Sequence, residues 1–290
     1  SNFELGMQTK AIQALVSLLD DPDFSIQQTV KEKILSQGNV AIPYLENTKY
    51  NETISPFVME RIDELIQEIK VANAMLDLKS WFKFPEKDIV KGWLKFSKIA
   101  YEEEELLFAQ QELESFKKHI WLEMNPRQTS FEKAKTLNFL FFDVFGFSVN
   151  EDLSAVTLLP DVLIAKSGSP LAIATLFSYL AYSNHFPVHL FSDNHKKTHL
   201  LGCIDQSHIY RMLYGYPNLG NALFFMDVCA NNDIVAPPKE WGMNTNLDSR
   251  KIQPLAHSEI LLALMKEYNE KDQNEMRKSV CKQHLKSVIH

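Results

Sequence analysis

The chain has 290 residues, of which 45% are hydrophobic and 23% charged, and its net charge is −7. This composition is that of a globular protein. The acidic balance and the scattered Lys and Arg residues argue against a nucleic-acid-binding face. The three cysteines are widely spaced with no CxxC pair, which argues against a disulfide framework or a zinc knuckle and favours a reducing compartment. We find no signal-peptide pattern and no apolar run approaching ~18 residues, and expect a soluble cytoplasmic protein without a cofactor.

The N-terminal third alternates helical stripes with short breaks. The segment Asp20–Asp23 ends one apolar stripe and offers a cap for the next helix, and Gly38 is placed as a C-cap. A further stripe follows over residues 56–76. This layout resembles a HEAT-type repeat, which would provide a scaffold groove for a partner. The alternative is a small helical cap packed on the main domain, which we favour because a solenoid needs ~3 repeats.

Four consecutive acids, Glu102 to Glu105, open a later helix. Acids at a helix start interact favourably with the helix dipole. A metal-binding carboxylate cluster is the alternative, but consecutive residues point around a helix rather than converging. We expect no metal here.

A strongly apolar helix is predicted to begin at Gly168-Ser169-Pro170 and to end near Asn184. With Leu137-Asn138 and Gly146-Phe147 before it, this stretch resembles the bacterial SirB-type transglutaminase-like family. Other matches are Phe142, Asn150, Asp152, Val162-Leu163 and Leu171. The resemblance covers most of the chain, although the C-terminal region holds one helical pair rather than the family's frequent tetratricopeptide-like array.

The resemblance implies a papain-like core, in which a Cys begins the buried helix and a His and an Asp follow on neighbouring strands. The segments "PVHLF", "THLLGCID" and "ALFFMDVCA" are predicted strands. If the second and third pair, His199 and Asp227 can lie opposite each other. On the third, Phe225, Asp227 and Cys229 would share a face. The family's Gly-His is Thr-His in this chain.

The position that the resemblance assigns to the nucleophile is Pro170, which has no thiol. Ser169 is adjacent, but a serine is a weak nucleophile without a well-placed base. Cys203 and Cys229 are alternatives for a rearranged site, although free cysteines are usually small buried hydrophobes. Loss of a triad nucleophile leaves a rate acceleration of only ~10³–10⁴-fold over water. We therefore expect a degenerate site.

Five of the nine histidines fall within residues 184–208. His195 and His199 are four apart, which on a helix would place both against one metal, but the flanking strands and turn argue against a helix. Only His199 has a candidate role, and a core histidine bonded to Asp227 is an equal alternative. The loop that follows carries aromatic and basic residues typical of contact surfaces or of an ordinary packed loop, namely Tyr210, Arg211, Tyr214 and Tyr216.

We therefore predict a mostly helical α+β protein: a HEAT-like region over 7–76, a transglutaminase-like core with a small antiparallel sheet over 77–245, and a C-terminal helical pair over 253–290. The expected function is non-catalytic binding of a protein or peptide partner. The alternative is a hydrolase or acyltransferase with His199 as base, Asp227 as its orienting group, and Ser169 or Cys203 as nucleophile. A third hypothesis makes the N-terminal helices a scaffold surface.

Overall fold

The structure is a computed structural model that describes residues 11–19, 21–49, 54–84, 88–152, 156–193, 198–204, 222–235 and 254–271, with positions 279 and 281. For some strand-end residues, His199 among them, the description covers the backbone alone. No helix within these ranges is long and apolar enough to cross a membrane. The chain divides into two compact units, one made of Ser1–Phe84, Lys98–Tyr101 and Asp272–His290, the other of Pro85–Ser97 and Glu102–Lys271.

The first unit is helical where it is described. Residues 11–17 form α1, and they are followed by α2 (Phe24–Gln37), a 3-10 turn (Gly38–Ala41), α3 (Ile42–Lys49) and α4 (Pro56–Lys83). The predicted caps are confirmed. The Asp23 side chain accepts from the Ser25 N–H at the start of α2, and Gly38 ends that helix with φ 59°, a backbone conformation open to glycine.

The core of this unit is formed by the apolar stripes of its helices. Because the apolar residues recur at three- and four-residue spacings, each helix buries one face against its neighbours. The buried members are Ile12, Val16, Leu19, Val30, Ile34, Ala41, Leu45, Val58, Ile62, Leu65, Ile66 and Ile69.

The second unit contains α5 (Ile89–Ser97), α6 (Glu103–Glu123), α7 (Ser130–Asn138), α8 (Leu159–Ala165), α9 (Pro170–Ser183) and α10 (His257–Lys271). A π-helical segment, Phe139–Val144, continues α7. The acids at the start of α6 serve the helix itself, because Glu102 and Glu105 form a reciprocal capping box. Helix α9 is the centre of this unit: its residues from Leu171 to Phe177 are all buried.

Two sheets frame α9. A short parallel pair joins β1 (Ser148–Val149) to β2 (Ser167–Gly168) directly before the helix. A four-stranded antiparallel sheet in the order β3-β4-β5-β6 follows it, made of Val188–Asp193, Thr198–Ile204, Ala222–Asp227 and Asp233–Val235. The predicted helix and the first two predicted strands are confirmed. The architecture is therefore mostly helical with a small antiparallel sheet.

The third predicted strand is shorter than expected. It ends at Asp227, and Val228–Ala230 form a 3-10 turn. The prediction that Cys229 shares a strand face with Phe225 and Asp227 is wrong, because the Asp227 side chain accepts from the Cys229 N–H and turns the chain out of the sheet.

Candidate functional site

The start of helix α9 is built from a serine followed by a proline. Ser169 is the N-cap in an extended conformation, and its hydroxyl oxygen accepts from the Ala172 N–H at 3.2 Å. Pro170 is the first helical residue, where its missing N–H costs nothing. The backbone N–H of Ser169 donates to the Val156 carbonyl at 3.1 Å, which fixes the chain as it enters the helix. Pro170, the predicted nucleophile position, therefore lies at a capped helix start.

The hydroxyl of Ser169 is also a donor. It donates to Oε2 of Glu267, in α10, at 2.6 Å. The serine is only 1% exposed. Both hydrogen-bonding roles of this hydroxyl are thus satisfied by the protein, since it accepts at the helix start and donates to a carboxylate.

Asp227 lies at the end of β5, where a network holds the turn that follows. Its carbonyl accepts from the Asn232 N–H at 2.7 Å. Asn232 has a left-handed backbone (φ 57°), which asparagine tolerates. The Nδ2 of Asn138, at the end of α7, donates to the Asn232 carbonyl at 3.1 Å, and the Nδ2 of Asn232 donates back to Asn138 Oδ1 at 3.3 Å. The turn next to Asp227 is therefore held by the helix that carries Asn138.

Strands β4 and β5 pair as predicted, but their register differs from the expectation by one residue. Asp227 lies opposite Leu200, while His199 lies opposite Ser192 of β3. The prediction that His199 and Asp227 face each other directly is wrong, because β5 gives way to the 3-10 turn at Val228, the position that would oppose His199. The catalytic pairing of the two residues stays a prediction.

Cys229 lies in the turn beside Asp227 and is exposed. Its thiol donates a hydrogen bond to the carboxylate of Glu151. Partial burial of the thiol, that hydrogen bond, and the charges of Glu151 and Asp227 together raise the pKa of Cys229 to about 11. Because the thiolate is the nucleophile, a thiol held neutral in this way is a poor one at neutral pH.

Glu151 also connects the turn to the start of α9. The N–H of Asn150, the residue before it, donates to the Gly168 carbonyl at 2.8 Å, immediately before Ser169. Helix α9 contacts the 3-10 turn itself. The segment before α9 and the turn beside Asp227 are therefore connected through the loop that carries Asn150 and Glu151.

Cys203, the alternative nucleophile, is fully buried in β4 opposite Phe224. A substrate has no access to a sulfur atom in that position. The contact residues predicted in the loop (Tyr210, Arg211, Tyr214 and Tyr216) and His195 lie outside the described residues. Within the described part of the chain, no three His, Cys, Asp or Glu side chains are grouped to hold a metal ion.

Two acids of this neighbourhood were not identified from the sequence. Glu267 lies in a helical pattern 98 residues beyond Ser169, and Glu151 lies in a loop. Nothing in the local pattern distinguishes either from a solvated surface acid. Only the tertiary contacts of α10 and of the β1 loop reveal them.

Comparison with known proteins finds a similarity for part of this neighbourhood. Residues 108–192 match the model of the transglutaminase-like superfamily. The match begins in α6, includes Ser169 and all of α9, and ends in β3. No curated protein and no solved structure gives a significant match. The chain therefore carries a segment similar to the transglutaminase-like superfamily, and that segment contains the helix start described above.

Proposed function

We propose that this chain is a SirB-type transglutaminase-like protein that has no catalytic nucleophile and acts by binding a protein or peptide partner in the cytoplasm. One observation carries the proposal. Ser169, at the helix start, is 1% exposed, and its hydroxyl is occupied by the Ala172 N–H and the Glu267 carboxylate. A nucleophile has to reach a substrate carbonyl, and this oxygen is enclosed.

The cysteines support the same conclusion. Cys203 is buried, and Cys229 carries a thiol whose pKa is raised beside two carboxylates. A catalytic cysteine needs the opposite environment, with a histidine or a helix start that favours the thiolate. None of the candidate nucleophiles in the described residues meets this requirement.

A papain-like core without a nucleophile can still bind a peptide. A papain-like frame holds a peptide along the helix start and the neighbouring strands, and this holding does not require a nucleophile. The loop residues Tyr210, Arg211, Tyr214 and Tyr216 are the contact surface in this proposal, because aromatic and arginine side chains dominate binding energy at interfaces. We also propose that the N-terminal helices form a HEAT-like region.

One observation favours the alternative, a hydrolase or acyltransferase. The 2.6 Å hydrogen bond joins the Ser169 hydroxyl to a carboxylate, and a carboxylate is a possible base. A Ser169 nucleophile would then be activated from α10, with His199 and Asp227 as further partners. The burial of Ser169 weighs against this alternative.

The test is an activity assay on the full chain and two variants, Ser169→Ala and His199→Ala. Suitable substrates are a glutamine-containing dipeptide with hydroxylamine as acceptor and fluorescein-labelled casein. We expect all three proteins to match the rate of a buffer blank. The matched control variants are Ser36→Ala and His119→Ala, which change exposed side chains. A turnover that both test variants lose and both controls keep would establish the enzyme instead.

A further inference from the structure

The helical unit at the N-terminus contains an open cleft of about 290 Å³. This volume lies near the lower end of the ~300–1,000 Å³ range of ligand sites, so it has room for one or two side chains. Its walls come from the end of α1, the first turns of α2 and the start of α4. The lining residues are Leu19, Phe24, Gln27, Gln28, Lys31, Arg61, Glu64 and Leu65.

Arg61 is the most firmly positioned side chain of the cleft. Its Nη1 donates to the Leu19 carbonyl at 3.1 Å and to Gln27 Oε1 at 2.7 Å. Its guanidinium carbon lies 4.4 Å from the centre of the Phe57 ring. Within the described residues, Nη2 and Nε have no acceptor. A guanidinium held this way has already lost its rotational freedom, and it presents a fork that matches a carboxylate.

An aromatic side chain stands beside this fork. Phe24 is the first residue of α2 and is 75% exposed, whereas Leu19 and Leu65 in the same cleft are buried. Covering an exposed phenylalanine removes apolar surface from water and so stabilises a complex. The cleft therefore combines an anion-binding group with an apolar surface.

Arg61 is the charged group of the cleft that would hold an acidic ligand. Two cations, Lys31 and Arg61, and one carboxylate, Glu64, line it, in a chain whose net charge is −7. Lys31 is paired with Glu68 at 2.8 Å, so Arg61 is the cation available to a ligand. Glu64 is exposed and opposes an anion, but it does not pair with Arg61 in the structure.

We propose that this cleft binds an acidic-hydrophobic peptide segment, with one carboxylate on Nη2 and Nε of Arg61 and a neighbouring apolar side chain against Phe24. The proposal does not depend on the state of the transglutaminase-like core, because none of its residues belongs to that unit. It would hold for an active enzyme as well as for a non-catalytic protein.

The test uses the full chain and two fluorescein-labelled octapeptides that differ in one residue, Gly-Ser-Leu-Glu-Leu-Gly-Ser-Gly and its Gln counterpart. Affinities are measured by fluorescence anisotropy at low salt, with protein up to about 1 mM. We expect the Glu peptide to bind roughly tenfold more tightly, as one charge-assisted hydrogen-bonded pair provides. Equal affinities, or no binding of either peptide, would overturn the proposal.

Three variants locate the binding site. Phe24→Ala should weaken the Glu peptide several-fold, and Glu64→Gln should tighten it about two- to threefold because a repulsive charge is removed. Arg61→Lys keeps the charge but loses the fork, so the preference for Glu over Gln should fall. Ile26→Ala and Lys33→Gln change side chains of α2 outside the cleft and serve as controls, with circular dichroism to verify folding. Unchanged affinity in Phe24→Ala and Glu64→Gln would contradict the assignment.

Discussion

The hydroxyl of Ser169 donates a 2.6 Å hydrogen bond to the carboxylate of Glu267. The two residues are 98 positions apart. The bond joins the start of the buried helix α9 to α10. It occupies the hydroxyl next to Pro170, the position to which the family resemblance assigns a nucleophile. This hydrogen bond therefore gives the start of α9 a structural role, since it connects α9 to α10.

Ser169→Ala should lower the free energy of unfolding by about 1–3 kcal/mol, because it removes a helix N-cap and leaves Glu267 without its partner. Urea denaturation measures this change. Ser36→Ala, which removes an exposed hydroxyl bonded within its own helix turn, should change stability by less than ~0.5 kcal/mol. A double-mutant cycle with Glu267→Ala should give a coupling of at least ~0.5 kcal/mol. A coupling of zero would show that the hydrogen bond between Ser169 and Glu267 does not stabilise the protein.

Cys229 should react slowly with iodoacetamide at pH 7.5, because its pKa of about 11 leaves very little thiolate. The rate should rise steadily as the pH increases toward 11. Glu151→Gln removes a carboxylate that raises this pKa, so alkylation should become several-fold faster. Cys203 and Cys281 are buried and should remain unlabelled in the native protein. Fast labelling of Cys229 at neutral pH would contradict this environment.

Gly202→Ala should destabilise the sheet, because there is no space for a side chain at this position. An added Cβ would lie close to Phe191 Cε2 and 3.0 Å from Phe225 Cε1. Phe191 and Phe225 are buried and pack edge to face at 5.3 Å. Overpacking of this kind costs about 1–3 kcal/mol. Thermal unfolding measures the loss, and Phe191→Leu in the same chain should restore part of it.

We expect His189 to make the folded protein less stable at acidic pH. Burial, and then the charge of His257 at the start of α10, lower the pKa of His189. The centres of the His189 and Tyr182 rings are 6.0 Å apart. The unfolded chain therefore binds a proton near pH 6.5 that the folded chain does not, so stability should fall as the pH drops below about 6.5.

The measurement is the urea midpoint at pH 7.5, 6.5 and 5.5 for the wild type, His189→Gln and His119→Gln. The difference between pH 7.5 and pH 5.5 should shrink in His189→Gln, because the group that takes up the proton is gone. His119 is exposed on α6, so its variant should retain the wild-type difference. Equal pH dependence in all three proteins would exclude His189 as the source.

The elements of the fold follow from local patterns in the sequence. The caps at Asp23 and Gly38, the helix start at Ser169-Pro170, and the strands β3 and β4 are confirmed because each depends on residues within one turn or one strand. The strand containing Asp227 was predicted too long. The Asp227 carboxylate accepts a hydrogen bond from the Cys229 N–H. This bond competes with the hydrogen bonds between strands and ends β5.

Which residues come together at the candidate site was harder to predict from the sequence. A shift of one residue separates Asp227 from the position opposite His199, and strand register depends on turns and packing rather than on alternation alone. Glu267 and Glu151 were missed because their roles depend on contacts across the fold. The apolar pattern predicted the buried helix α9, but it did not predict that Glu267 accepts a hydrogen bond from the N-cap residue Ser169.

The most direct measurement of the central claim is covalent labelling of the helix start. The native full chain is incubated with a fluorophosphonate, which phosphonylates activated serines, and is analysed by intact mass and peptide mapping. An enclosed, hydrogen-bonded hydroxyl predicts no label on Ser169 after extended incubation. Stoichiometric phosphonylation of Ser169 that disappears in His199→Ala would contradict the account and identify a working nucleophile.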